Sequence, residues 1–99
     1  VQRAIKLKPK IKNMDFKTLK SNSLNGGIQY HFKADNGYGA SIVQHPFSYG
    51  SNLGLWELAV IGKDGRICYD TPITSDVLGH LTEEDVNSTL EQIAALPSE

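Results

Sequence analysis

Residues 28–45 read IQYHFKADNGYGASIVQH, and the fold turns on how this stretch pairs with itself. Ile28, Tyr30 and Phe32 alternate with Gln29, His31 and Lys33, the period-two signature of a strand with one buried face. After the interruption DNGYG, the run ASIVQH resumes the same habit. Asn36-Gly37 is the strongest short hairpin signal, because both central positions of a type I′ turn need positive φ, which Asn tolerates and Gly adopts freely. With those two residues as the loop, Asp35 faces Tyr38, Phe32 faces Ser41 and Tyr30 faces Val43. Ile28, Tyr30, Phe32 and Val43 then share one face.

Working outward, LGLWELAVIGKDGRICYDTPI (residues 53–73) repeats the pattern with Asp64-Gly65 as its turn. A two-residue loop there pairs Lys63 with Arg66, Gly62 with Ile67, Val60 with Tyr69 and Leu58 with Thr71. Trp56, Leu58, Val60, Ile67 and Tyr69 fall on one face, and Glu57, Ala59, Ile61, Cys68 and Asp70 on the other. Beyond it, TSDVLGHL predicts a single turn beginning at Ser75.

The carboxyl end carries the clearest helix start. Thr82 precedes Glu83, Glu84 and Asp85, a capping-box pattern with acids where the helix dipole favours them. Leu81 before the cap and Val86 inside it form a hydrophobic staple. Val86, Leu90 and Ile93 recur at helical spacing until Leu96 and Pro97 close the segment. These three are expected to pack on the sheet face made by Tyr30, Trp56, Leu58 and Val60. The predicted fold class is α+β: an antiparallel sheet of about four strands, in two hairpins, covered on one face by a C-terminal helix. Residues 14–26 are read as a short edge strand or a turn.

The chain has 99 residues and 39% hydrophobic content, enough for one core, so residues 14–99 are assigned to a single domain. No apolar run approaches the ~20 residues of a spanning helix, so neither membrane insertion nor a secretory route is expected and the cytoplasm is the expected setting. The lone Cys68 rules out an internal disulfide.

A formal net charge of −1 conceals an asymmetry. Residues 1–13 hold Arg3, Lys6, Lys8, Lys10 and Lys12 without an acid, whereas the rest of the chain sets Lys17, Lys20, Lys33, Lys63 and Arg66 against all 11 acids. MDFKTLKSN reads as the natural start of the domain, and residues 1–13 are expected to be a basic leader, solvated and outside the fold. The acidic body repels a phosphate backbone and favours a partner protein with a basic surface. Nucleic-acid association through the basic leader is the competing reading; a platform of Tyr30, Phe32 and Tyr38 would lack the basic stripe it needs.

No catalytic constellation is present. His31 and His45 lack a second ligand at metal-binding spacing, Cys68 has no C-x-x-C partner, and neither serines nor clustered carboxylates sit in a nucleophile or acid-base motif. The glycine-bearing stretches do not introduce a helix at phosphate-binding spacing. The expectation is a non-enzymatic binding module without cofactor or metal.

The segment HPFSYGSNLG (residues 45–54) is a loop by composition, yet it carries Phe47 and Tyr49. Either the rings fold back and cap the open end of the sheet, or they stand out as a contact surface. The expected protein-binding residues are Phe47 and Tyr49, joined by the acids Glu83, Glu84 and Asp85, with at least one ring exposed.

NGYGASIVQHPFSYGSNLGLWELAV together with YDTPITSDVLGHLTEEDV resembles small proteins of tailed phages and prophages, over roughly residues 27 to 96. The likeness is one of whole-segment texture and assigns no individual residue. It implies an accessory protein made inside an infected or lysogenic bacterium, where it engages a host or phage protein.

Overall fold

A computed structural model describes residues 14–74 and 76–97. The basic leader and Ser75 lie outside the described residues, and with them the expectations placed there. Five strands form one antiparallel meander in the order β1 (Lys20–Leu24), β2 (Gly27–Lys33), β3 (Gly39–Gln44), β4 (Trp56–Ile61) and β5 (Leu78–Leu81), followed by α1 (Glu83–Ala94). The class is α+β as expected, with five strands where about four were predicted.

The fifth strand comes from the segment left undecided. Asn25 and Gly26, at φ 50° and 84°, join β1 to β2 with Leu24 opposite Gly27, the geometry of a type I′ turn. The Asn-Gly pair that makes this turn is therefore the first in the chain, not the one at Asn36-Gly37.

Both expected hairpin registers are off by one residue, for the same physical reason. At the β2–β3 turn the Ala34 N–H donates to Tyr38 O at 2.8 Å and the Gly37 N–H to Ala34 O at 3.2 Å, with Gly37 at φ 94°. This is a three-residue loop, a type I turn closed by a left-handed glycine. Asn36 keeps a negative φ, and its Oδ1 accepts from the Tyr38 N–H at 3.0 Å, so the side chain itself closes an Asx turn. Asp64 does the same for the Arg66 N–H at 3.0 Å, with Gly62 N–H to Arg66 O at 2.7 Å and Gly65 at φ 81°.

The shift moves every β3 side chain to the opposite face. Phe32 pairs with Ala40 and Tyr30 with Ile42, so Ala40 and Ile42, not Val43, join Ile28, Tyr30 and Phe32 on the helix side. Past the second turn Ile61 faces Ile67 and the Cys68 N–H reaches Val60 O at 2.7 Å. Cys68 therefore packs against the core, while Ile67 and Tyr69, expected inside, are exposed. The chain then leaves the edge of β4 and rejoins it as β5, with Leu78 opposite Leu58 and Leu81 opposite Trp56. The expected strand over residues 67–73 shrinks to that bridge, and Leu78–Leu81, predicted as part of a turn, takes its place.

The helix docks as its periodicity dictates. Val86, Leu90 and Ile93 are fully buried with Ile42, Leu58, Val60 and Trp56. The capping box is complete: the Asp85 N–H donates to Thr82 Oγ1 at 3.1 Å and the Thr82 N–H to Asp85 Oδ2 at 3.1 Å. A 3-10 turn at Phe16–Thr18 closes the core edge beside the helix. There Phe16 is fully buried edge-on against Trp56 and Tyr30, with centroids 4.9 Å and 5.2 Å away, and its N–H donates to Asn87 Oδ1 at 2.9 Å.

Asn36 ties the β2–β3 turn to the far end of the helix, where its Nδ2 donates to the carbonyls of Ile93 at 2.8 Å and Leu96 at 2.9 Å. Helix carbonyls without such partners are costly when water is partly excluded. Asn36→Ala removes these bonds and the Asx turn together and is expected to destabilise the fold by about 1–3 kcal/mol. Urea denaturation checks this; an unchanged midpoint would show that water serves those carbonyls equally well.

Candidate functional site

The β3–β4 connection is ordered by its own hydrogen bonds. The Ser48 N–H donates to His45 O at 2.9 Å, the His45 N–H to Ser48 Oγ at 3.0 Å, and the Phe47 N–H to His45 Nδ1 at 3.1 Å. The Tyr49 N–H reaches Glu57 Oε1 at 3.1 Å, and a 3-10 turn at Ser51–Leu53 returns the chain to β4. Turn-forming residues thus fix this loop in one shape.

Its rings point outward. Phe47 is 81% exposed, Tyr49 53% and Leu53 67%, three large apolar side chains within seven residues. The rings do not cap the sheet. Leu53 was missed in the sequence, although an apolar residue between Asn52 and Gly54 in a turn was a usable signal.

The acids lie at the same end of the molecule. Trp56, which follows the loop, pairs with Leu81, which directly precedes the helix cap, and the His80 N–H donates to Tyr49 O at 3.3 Å. Their duties differ, however. Asp85 is half-buried in the capping box, and Glu83 forms an ion pair with Lys17 that raises the lysine pKa. Glu84 stands exposed on the first turn. The predicted acidic surface is therefore partly occupied in holding the helix and the 3-10 turn at Phe16–Thr18.

The other groups weighed in the sequence find structural settings. Tyr30 and Phe32 pack against the core on the helix side, leaving the opposite sheet face without their rings. The Cys68 Sγ donates to Asp70 Oδ1 at 2.8 Å, and that bond pushes the thiol above the ordinary cysteine range. Among the described residues no three His, Cys, Asp or Glu side chains lie close enough to hold a metal ion, and no helix is long and apolar enough to cross a membrane.

Comparison with protein-family models, with curated proteins and with solved structures finds no match to this chain.

Proposed function

We propose that the protein is a non-enzymatic binding module that captures a partner protein through Phe47 and Tyr49, with Leu53 extending the apolar contact. The observation that carries this reading is the pairing of exposure with order. Large apolar side chains held outward by a hydrogen-bonded loop forgo burial in their own core, and a preformed contact surface loses little entropy on binding. Aromatic side chains are the ones most often found at the energetic centre of such contacts. Glu84, with Glu83 and Asp85 behind it, biases the rim toward a basic partner. The resemblance to small phage and prophage proteins supports a host or phage protein as that partner, met in the cytoplasm of an infected bacterium.

The test is capture from a bacterial lysate by the intact chain and by a Phe47→Ala/Tyr49→Ala variant. Because both rings are exposed, the variant is expected to keep its thermal midpoint within a few degrees while losing the partner that the parent retains. A folded variant that still captures the same protein would sink the assignment, and so would a variant that unfolds. DNA or RNA binding by the intact chain that falls steeply with salt and is lost in a chain beginning at Met14 would replace it with the nucleic-acid reading.

A further inference from the structure

The sheet face opposite the helix holds a hollow of about 310 Å³ whose lining includes Gln29, His31, Lys33, Gly39, Ser41 and Ile61. Its origin is legible in the register. Lys33, Gly39 and Ile61 lie side by side across β2, β3 and β4, and the middle position has no side chain. In the next row on this face Ser41 lies between the large His31 and the small Ala59. Lys33, His31 and Ile61 stand around the low positions Gly39 and Ser41 and leave a trough, at the end of the sheet remote from Phe47.

The polar groups beside it form a directed chain. Asn22 Nδ2 donates to Ser23 O at 3.0 Å and to Gln29 Oε1 at 3.2 Å, which turns Asn22 Oδ1 toward His31 Nε2 and requires that nitrogen to carry the proton. Gln29 in turn donates from Nε2 to Ser41 Oγ at 2.7 Å. Donation therefore runs from His31 through Asn22 and Gln29 to Ser41. The Ser41 hydroxyl, already an acceptor, has its own proton left to give, and no acceptor for it occurs among the described residues. Lys33 adds an ammonium on the same wall, where Nζ reaches Gly37 O at 3.3 Å with further protons to spare. Among the described residues no carboxylate lines the hollow, although the chain as a whole has more acids than bases.

The geometry points to a binding site for a small oxyanion, a phosphoryl or carboxylate group, seated between the Ser41 hydroxyl and the Lys33 ammonium with any apolar portion against Ile61. The aligned donors polarise one another, so the terminal hydroxyl is a stronger donor than an isolated serine. A volume near the lower end of ligand pockets limits the occupant to a small molecule.

The test is titration of the ¹⁵N-labelled full chain with inorganic phosphate and, separately, with acetate, at an ionic strength held constant with sodium chloride. Saturable amide shifts concentrated at residues 29–33 and 39–41 support the site, and the arm that saturates identifies the oxyanion. Ser41→Ala is expected to weaken binding about tenfold, the loss of one hydrogen bond to a charged group, whereas Ser41→Thr retains the donor and the affinity. Lys33→Gln, at an exposed position, weakens binding several-fold, and Lys17→Gln, on the helix side beside Glu83, leaves it unchanged. Shifts that fail to saturate with either anion overturn the proposal, as do shifts equally large around Lys17 or affinities indifferent to both Ser41→Ala and Lys33→Gln.

Discussion

Leu90→Ala is expected to lower the stability of the fold by about 2–4 kcal/mol, read as a fall in the urea midpoint. Leu90 is fully buried between its helical neighbours Val86 and Ile93 and the β3–β4 surface of Ile42, Leu58 and Val60. Truncation removes apolar contact and leaves a hole that the flanking strands, hydrogen-bonded on both sides, cannot close. The helix depends chiefly on this apolar face, since twelve residues of helix are marginal without tertiary packing. A domain of this size has roughly 5–10 kcal/mol in total, so the loss takes a large share of it. A midpoint unchanged by the substitution would mean that the helix is held by its cap and by Asn36 alone.

How far the fold could be read from the sequence depended on whether local chemistry or distant partners decided each element. The helix was legible to its first residue, because Thr82 and Asp85 satisfy each other and the burial stripe repeats every turn. The turns at Asn36-Gly37 and Asp64-Gly65 were legible in place but not in type. Asn25-Gly26, Asn36-Gly37 and Asp64-Gly65 look alike as dipeptides, yet only the first forms a two-residue loop. In the other two the Asx side chain takes the N–H two residues on, and for Asn36 the choice is reinforced by helix carbonyls some sixty residues away. No window around Asn36 contains that information. The excursion from Tyr69 to Val77, which delays β5, likewise depends on Leu78 reaching Leu58 rather than on any local signal.

The register error had a direct functional cost. Placing Ser41 opposite Phe32 put its hydroxyl under the helix, whereas its true neighbour is His31 on the open face. The trough exists only in the observed register, which sets Ser41 beside His31. The loop was legible from its turn composition, but composition left open whether its rings cap the sheet or stand out, and it is the structure that exposes them. The acids fell between these cases: the role of Asp85 was written in the capping box, but the claim of Lys17 on Glu83 spans most of the chain.

Gly50→Ala is expected to cost about 2–5 kcal/mol and to displace the ring-bearing loop, in contrast to Gly54→Ala four residues on. Both glycines have positive φ, 93° and 73°, so both substitutions incur the left-handed penalty of roughly 1–2 kcal/mol. Their surroundings differ. A Cβ on Gly50 would lie 2.9 Å from the His80 Cα and 3.0 Å from the Leu55 Cβ, whereas one on Gly54 meets nothing within 4 Å. His80 cannot yield easily, since it too has positive φ, at 56°, and donates its N–H to Tyr49 O. Relief must come from the loop, and Gly50 O, which accepts from the N–H groups of Leu53 and Leu55 at 2.9 Å and 3.0 Å, moves with it. The segment that carries Phe47, Tyr49 and Leu53 is then displaced. Thermal melts and partner capture, measured on both variants, separate the two effects: Gly54→Ala should shift the midpoint slightly and keep the partner, while Gly50→Ala should lose both stability and capture. Equal midpoints would show that the close approach of the loop to His80 carries no weight, and that the rings are placed by the His45–Ser48 turn alone.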